Sequence, residues 1–311
     1  MWWSIKNALK RETEAHRPDI VLSYWSHPDG EVALRLGRHL NLPTALIVGG
    51  SDVLVLTANP RRRYRIEKVL QGVDEIITIG GDLRQKVIEM GLPQERVTSV
   101  MRSVDPLRFA PGDRALARDI CQILGDQQVI LFVGRLVPVK GIDVLLRAVA
   151  LLRESRPRLL LCIVGSGSEG RALAALAHDL DIAHLVRWLG ALPHEILADW
   201  YRAADVTVLP SLSEGVPNTL LESVACGTPF VASAVGSIPE IADGDCDRLV
   251  PPGQPESLAA ALVEVIDRRR GTVIRSRGGS ATEEQFHSAL DAVFERCMSK
   301  RTSARVGSSR A

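Results

Sequence analysis

The sequence predicts an α/β protein built from two doubly wound domains with parallel sheets. Apolar runs of strand length alternate with helical segments of about 10–15 residues, a pattern typical of parallel sheets that carry helices on both faces. The alternation stops at 102–128, a segment with two prolines and several charges that we predict to link the two domains, and then begins again. The length of 311 residues suits two domains of roughly 150 residues each.

The first half opens with an amphipathic helix at 1–16 and continues with four predicted strands. These strands lie at 19–25, 43–49, 74–80 and 96–101, with helices predicted between them at 29–42, 61–70 and 81–92. Because the chain opens at a helix, in the middle of the pattern, we expect the amino-terminal domain to lack its first strands and the chain to be a fragment.

The second half repeats the pattern more completely. Its predicted strands lie at 129–136, 158–167, 185–190, 205–210, 228–233 and 247–253. Helices are predicted at 141–154, 168–180, 194–202 and 255–269, after 217, and at 283–298. We therefore expect an amino-terminal domain at 1–108, a carboxyl-terminal domain at 109–275, and a final helix with a disordered tail within 276–311.

The composition argues against several functional classes. A net charge of +1, with both signs interspersed, does not favour a nucleic-acid partner. Five cysteines without CxxC spacing indicate buried thiols in a reducing compartment, not a zinc site or a disulfide framework.

No segment has the roughly 20 apolar residues of a membrane span, and the first residues are not a signal peptide, so we expect a cytoplasmic protein. Trp2, Trp3 and the basic run 61–65 leave a peripheral contact with the inner face of the membrane open, against ordinary packing and solvation.

The loop after the first strand of the second half carries two cations. In VGRLVPVKG (133–141), Gly134 allows a close backbone turn, while Arg135 and Lys140 bring positive charge to the carboxyl end of a strand. Two cations beside a helix amino terminus can hold a diphosphate without a metal ion, and no Asp-x-Asp pair lies nearby. We therefore predict that no metal or other cofactor is required. The alternative is that Arg135 and Lys140 only solvate a surface loop.

The following strand ends in a glycine pattern, IVGSGSEG (163–170). Gly165, Gly167 and Gly170 resemble a dinucleotide-binding turn, but many turns use such glycines for close packing. An NAD site would place an acidic residue at the end of the next strand, and RWLGAL (187–192) has none. The pattern therefore disfavours NAD binding.

The segment PSLSEGVPNTLLESVACGTPFVAS (210–233) places Glu214 before a predicted helix start and Glu222 within the helix. Pro217 suits the first helical position, after which the free backbone amides of Asn218, Thr219 and Leu220 would form an anion site. Carboxylates beside a phosphate site are best explained as acceptors for sugar and ribose hydroxyls. The alternative is a helix with only a structural role. His194, which opens another predicted helix, is expected at the surface.

These segments together resemble the retaining, GT-B-fold glycosyltransferases of family 4. The resemblance is dense over about 129–266 and rests on VGRLVPVKG, IVGSGSE, the long run from LGALPHEI to GSIPEI, and LVPPGQPESLAAAL. It extends weakly backward through 28–52 and 72–97. It implies two Rossmann-like domains that face a cleft, with the amino-terminal domain on the acceptor side.

The resemblance also implies roles for individual residues. Arg135 and Lys140 would hold the diphosphate, Glu214 would contact the donor sugar, and Asp52 is carried over as a fourth catalytic residue. The implied donor-binding residues are Gly134, Gly165, Gly167, Gly215, Val216, Pro217, Asn218, Thr219, Leu220 and Glu222, the last on the ribose. A nucleotide-diphosphate sugar would be the co-substrate. The acceptor would be a hydroxyl of a glycan, a lipid-linked sugar or a small molecule, as in polysaccharide biosynthesis.

Two departures from the family pattern bear on turnover. The family often has His-Gly-Ser-Asp where this chain has GGSD (49–52), so that Gly49 replaces a histidine. The usual Asn-Gly-Val-Asp at the hinge is RSVD (102–105). A truncated nucleotide-sugar-binding protein without transferase activity therefore remains an alternative, as does a nucleotide-sugar epimerase on the same scaffold. A phosphorylase is disfavoured because 142–299 contains no lysine to bind pyridoxal phosphate.

Overall fold

The computed structural model describes the backbone of residues 2–271 and 281–308, and the side chains of 7–9, 11–269 and 281–299. The chain forms two compact units. One contains the chain up to Arg102 and from Glu283 onward, and the other is Ser103–Thr282. Within the described residues, no helix combines the length and the apolar content needed to cross a bilayer.

The first unit has alternating helices and short strands, as the sequence predicts. In chain order they are α1 Trp2–His16, β1 Val21–Tyr24, α2 Asp29–Leu40, β2 Thr44–Val48, α3 Ser51–Leu54, α4 Pro60–Gly72, β3 Glu75–Thr78, α5 Gly81–Glu89 and β4 Val97–Ser99. Among the described residues, β1 to β4 form one parallel sheet in sequential order. Leu46 and Ile76 lie fully buried in this sheet, against Ile66 and Leu70 of α4.

The second unit contains a larger sheet. Its elements are α6 Arg114–Ile120, β5 Gln128–Val133, α7 Ile142–Leu152, β6 Leu159–Val164, α8 Gly170–Asp179, β7 Val186–Gly190, α9 Leu197–Ala203, β8 Val206–Leu209, α10 Asn218–Ala225, β9 Phe230–Ser233, α11 Ile238–Ile241, β10 Arg248–Val250 and α12 Pro255–Gly271. Short 3-10 turns at Pro138–Lys140 and His194–Ile196 precede α7 and α9.

The strand order of this sheet determines where a ligand can bind. Six parallel strands of the described residues follow the order β10-β9-β8-β5-β6-β7, the doubly wound dinucleotide-fold order. The order reverses between β5 and β8, where Ile130 pairs with Val206. Because the connections after these two strands leave in opposite directions, a crevice opens at their carboxyl ends. The predicted fold class is confirmed.

The segment predicted as a linker contains α6. Asp113 caps this helix by accepting hydrogen bonds from the amides of Ala115 (2.8 Å) and Leu116 (3.2 Å). Arg114 then donates to the buried Asp205 carboxylate, which precedes β8, at 2.6 Å. The segment is therefore part of the second unit.

The boundary between the units lies between Arg102 and Ser103, not after 108 as expected. The reason is that Arg108 and Phe109 contact the region around α9: the Arg108 guanidinium lies 2.8 Å from His194, and the Phe109 ring meets the Tyr201 ring edge to face. The boundary falls within RSVD, the segment that the resemblance aligns with the hinge.

The final helix, α13 (Glu283–Ser308), corrects two expectations. It extends well past 298, into the segment expected to be disordered, and it belongs to the first unit. Val293 and Cys297 are fully buried, and Val293 packs in a cluster with Ile77 of β3. Arg296 donates to the hydroxyl of Thr98 at 2.7 Å. The amino-terminal sheet thus gains a covering helix from the other end of the chain.

Val293→Ala tests this covering role. Removing two buried carbons at about 0.8 kcal/mol each, together with the cavity that they leave, should lower the free energy of unfolding by about 2 kcal/mol. The exposed neighbour Asp291 is the matched control, and Asp291→Ala should change the free energy by less than about 0.5 kcal/mol. Urea denaturation followed by circular dichroism measures both, and equal effects would show that α13 does not contribute to the core.

Candidate functional site

Two loops meet at the reversal point of the larger sheet. They are 134–141, which follows β5, and 210–217, which follows β8. The Leu212 amide donates to the Val139 carbonyl at 2.8 Å. Gly141 has φ 62°, and a Cβ there would lie 2.2 Å from the Pro210 carbonyl oxygen, so only glycine allows this approach. The two loops are therefore held as one surface.

Lys140 and Glu214 form an ion pair across these loops. Lys140 Nζ lies 2.5 Å from Glu214 Oε1, and the same oxygen accepts a 2.6 Å hydrogen bond from the Ser211 hydroxyl. The side chains are 17% and 10% exposed, so water screens the pair less than it would at the surface. The structure thus brings together two residues that the sequence predicts for the site.

Arg135 projects from the same loop but has a different environment. Its side chain is exposed, and its guanidinium has no hydrogen-bond or ion-pair partner in the described part of the chain. The loop itself is held firmly, since the Gly134 amide donates to the Val164 carbonyl at 3.0 Å and the Leu136 amide to Ser166 at 2.9 Å. Arg135 is therefore a cation on a fixed backbone, available to a ligand.

Gly165 and Gly167 hold this loop in place. A Cβ at Gly165 would lie 1.8 Å from the Gly134 carbonyl oxygen, and one at Gly167 would lie 2.2 Å from that of Leu136. Gly165 also has φ 135°, a conformation that side chains rarely adopt. The glycine pattern therefore packs β6 and its turn against the Arg135 loop, a role that spacing alone did not distinguish from ligand contact.

The start of α10 differs in detail from the prediction. Pro217 is the residue before the helix, with extended backbone angles, and Asn218 is the first helical residue. The Leu220 amide donates to the Pro217 carbonyl at 3.1 Å, so the expectation that Leu220 offers a free amide is wrong. Thr219 directs its hydroxyl to the Val133 carbonyl at 3.2 Å, which attaches the helix start to the end of β5.

Gly215 and Val216 connect Glu214 to this helix. A Cβ at Gly215 would meet no neighbouring atom, so close packing does not require glycine there, and Val216 packs partly buried against the core. The Ser237 amide donates to the Gly215 carbonyl at 3.2 Å, and Gly236, at φ 57°, lies against the Glu214 carbonyl. The loop after β9 thus supports the backbone that carries Glu214.

Glu222 lies one turn into α10 and has partners that the sequence did not reveal. Its Oε1 lies 2.8 Å from Nε2 of His194, and its Oε2 accepts a 2.7 Å hydrogen bond from the Tyr201 hydroxyl. Arg108 Nη1 lies 2.8 Å from the other ring nitrogen of His194. His194 is at the surface, as expected, but its contact with Glu222 was missed because its partners come from distant parts of the chain.

Tyr201 remains protonated in this arrangement. Burial first, and then the charge of Glu222 and the hydrogen bond to it, raise the pKa of Tyr201 well above its ordinary value. The hydroxyl therefore acts as a donor to Glu222 throughout the physiological pH range. Glu222 is therefore the hydrogen-bond acceptor in its contact with Tyr201.

The site combines cations with carboxylates. Arg135, Lys140 and the amino end of α10 can bind an anionic group such as a diphosphate. Glu214 and Glu222 can accept hydrogen bonds from hydroxyls. Among the side chains that the structure describes, no three His, Cys, Asp or Glu groups lie together as metal ligands.

Comparison with known families agrees with this arrangement. The sequence profile of the family "Glycosyl transferases group 1" matches residues 127–268, the part of the chain that carries both loops. A D-inositol 3-phosphate glycosyltransferase of Geodermatophilus obscurus is 35% identical over 312 residues, which cover 92% of this chain and 69% of the relative. The chain belongs to the glycosyl transferases group 1 family.

Another relative in this family is matched over a shorter length. D-inositol 3-phosphate glycosyltransferase 2 of Catenulispora acidiphila is 38% identical over 229 residues, or 69% of this chain. The match spans 53% of that relative, so the chain corresponds to about half of its length.

Solved structures show the family's GT-B fold. Sucrose-phosphate synthase from Thermosynechococcus elongatus superimposes with a TM-score of 0.73 at 21% identity and covers 98% of this chain and 77% of its own. Anabaena Alr3699/HepE in complex with UDP-glucose has a TM-score of 0.75 at 18% identity and covers 95% and 81%. At these identities the likeness concerns the fold alone.

Asp52, predicted as a catalytic residue, lies in the first unit and is fully buried. Its Oδ2 accepts hydrogen bonds from both the amide and the hydroxyl of Ser26, each at 2.9 Å. Asp52 therefore ties the loop after β1 to α3. In this conformation the Asp52 carboxylate binds the amide and hydroxyl of Ser26, and the side chain presents no exposed surface to a substrate.

Trp25 lies against position 49, where the family often has a histidine and this chain has glycine. A Cβ on Gly49 would lie 2.7 Å from the indole Nε1 of Trp25 and 3.2 Å from the Tyr24 hydroxyl. Trp25 has φ 77°, an unusual conformation for a large residue. The Trp25 indole thus occupies the space beside β2 where a side chain at 49 would begin.

Proposed function

We propose that this chain transfers a sugar from a nucleotide-diphosphate donor to an acceptor hydroxyl, with retention of configuration. The observation that carries the proposal is the contact of Lys140 with Glu214 at the reversal point of the sheet, on the loop that also carries the exposed Arg135. Family membership supports sugar transfer, and retention rests on the resemblance to family 4.

The chain's residues would act mainly on the leaving group. The bond from the anomeric carbon to the diphosphate oxygen breaks, and negative charge develops on the diphosphate. Arg135, Lys140 and the amino end of α10 would stabilise that charge before the acceptor oxygen bonds to the anomeric carbon. The acceptor's proton would pass to the departing diphosphate oxygen, a base on the same face of the sugar. These cations would perform the task without a metal ion or other cofactor.

We propose UDP-sugars as the first donors to test. The Anabaena structures are complexes with UDP and with UDP-glucose, although that likeness is one of fold. We propose that Glu214 contacts the donor sugar and that Glu222 contacts the ribose. Glu214 pairs with Lys140, one of the cations that would hold the diphosphate, whereas Glu222 contacts His194 and Tyr201.

The acceptor proposal is a hydroxyl compound, with polyol phosphates ahead of glycans and lipid-linked sugars. The curated relatives are named for inositol 3-phosphate. In this chain Arg102 donates to the Tyr24 hydroxyl at 3.2 Å at the end of β1, which places a cation beside an exposed aromatic ring.

We also propose a cytoplasmic location with peripheral membrane contact. The contact is proposed because the amino end of α4 exposes Arg61, Arg62 and Tyr64.

A panel of nucleotide sugars tests the proposal. Thermal denaturation with UDP- and GDP-sugars should show a rise in Tm of a few degrees for the true donor at about 100 times its Kd. Release of free nucleotide should then depend on an acceptor from a set that includes inositol 3-phosphate and lipid-linked sugars in anionic vesicles, and it should persist in EDTA. Stabilisation by no nucleotide sugar would contradict donor binding, and stabilisation without turnover on any acceptor would indicate a binding protein.

A further inference from the structure

The carboxylate of Glu222 is oriented by a chain of side chains from three parts of the second unit. Tyr201 comes from α9, His194 from the turn before it, and Arg108 from the segment that precedes α6. We propose that Arg108, His194 and Tyr201 are positioning residues that fix Glu222 as the acceptor for the ribose hydroxyls of the donor. The proposal rests on the proposed function and adds residues to which the family pattern gives no role.

The contacts determine which ring nitrogen of His194 carries the proton. Arg108 can only donate hydrogen bonds, so Nδ1 of His194, 2.8 Å from Arg108 Nη1, must accept. A neutral imidazole then carries its proton on Nε2, which donates to Glu222 Oε1 at 2.8 Å. Arg108 thus selects the tautomer that can hold Glu222.

Packing restricts the ring as well. The Phe109 and His194 rings lie 5.0 Å apart at 58°, and the Phe109 and Tyr201 rings lie 6.0 Å apart. Phe109 is 3% exposed and Tyr201 is fully buried. His194 and Tyr201 therefore both pack against the buried Phe109, which reduces the conformational entropy that ligand binding would otherwise cost.

Glu222 retains capacity for a ligand. A carboxylate has about four acceptor positions, and the two hydrogen bonds from His194 and Tyr201 occupy one on each oxygen. The side chain is 10% exposed, so part of it is open to a ligand. Two vicinal hydroxyls, as on a ribose, match two such positions on a carboxylate that cannot turn away.

The two glutamates of the motif thus differ in their partners. Glu214 pairs with an ammonium group, whereas Glu222 receives hydrogen bonds from a phenol and an imidazole. A carboxylate without a bound cation attracts hydroxyl donors and repels phosphate. This difference favours Glu222 at the ribose and keeps the diphosphate near Lys140 and Arg135.

Calorimetric titration with UDP and with 2′,3′-dideoxy-UDP isolates the ribose contribution. The wild type should bind UDP about tenfold more tightly than the dideoxy compound. His194→Ala and Tyr201→Phe should each weaken UDP binding by about three- to tenfold and leave the dideoxy affinity unchanged. His194→Gln, which keeps an N–H donor, should restore part of the loss, and the exposed His178→Ala is the matched control.

The outcomes distinguish failure of the positioning role from failure of the proposed donor binding. Equal weakening of both ligands in His194→Ala, or no change in either, overturns the positioning role while donor binding stands. If the wild type binds neither UDP nor its dideoxy analogue, the proposed donor site fails, and the positioning role fails with it. Circular dichroism melts of each variant confirm that the comparison is made on folded protein.

Discussion

Replacing Arg135 with alanine should lower kcat/KM for the nucleotide sugar by about 10²- to 10³-fold and leave the free energy of unfolding unchanged. The size follows from the loss of one preorganised donor to charge that develops in the transition state. Stability should not change because the Arg135 side chain is exposed and its guanidinium has no partner within the described residues. Steady-state kinetics and a thermal melt measure the two quantities.

Two further variants sharpen this test. Arg135→Lys keeps the charge but loses the planar fork of donors, so it should recover only part of the activity. Arg147 is exposed on α7, the next helix, and Arg147→Ala should leave kcat/KM within about twofold, since a distant surface charge is screened. A loss below about threefold in Arg135→Ala, or an equal loss in Arg147→Ala, would exclude Arg135 from the diphosphate site.

Glu214→Gln should change two constants in opposite directions. Turnover should fall by about 10²-fold or more, because the amide accepts hydrogen bonds from the donor sugar less strongly than the carboxylate does. Affinity for the nucleoside diphosphate alone should rise by about two- to tenfold. The ion pair to Glu214 offsets the charge of Lys140, and the substitution leaves that charge available to the diphosphate.

Single-turnover kinetics and calorimetric titration with UDP measure these constants separately. Asp143, an exposed acid in the first turn of α7, is the control, and Asp143→Asn should leave both constants unchanged. If Glu214→Gln weakens UDP binding and turnover together, the carboxylate supports the diphosphate site structurally and is not a contact for the sugar.

The fold could be predicted well because parallel strands buried on both faces form continuous apolar runs. Each predicted strand overlaps an observed one, for example 205–210, which contains Val206–Leu209. Helix α6 was missed because two prolines and several charges obscured the cap at Asp113. The length of α13 was missed because the polar composition after 298 resembles a disordered tail.

The site could be predicted only where its residues belong to sequence motifs at the ends of predicted strands. Arg135, Lys140 and Glu214 were found because they follow adjacent strands of one sheet. The cluster around Glu222 was not, since Arg108 and His194 are 86 positions apart and meet only in the folded structure, where Phe109 packs beside His194. The burial of Asp52 likewise depends on Ser26, which belongs to a different strand connection.

A crystal structure of the chain with UDP tests the central claim most directly. The account predicts that the diphosphate lies within hydrogen-bonding distance of Arg135 and Lys140, beside the amino end of α10, and that the ribose hydroxyls contact Glu222. A diphosphate bound away from both cations, or a ribose that makes no contact with Glu222 while UDP occupies the site, would contradict it.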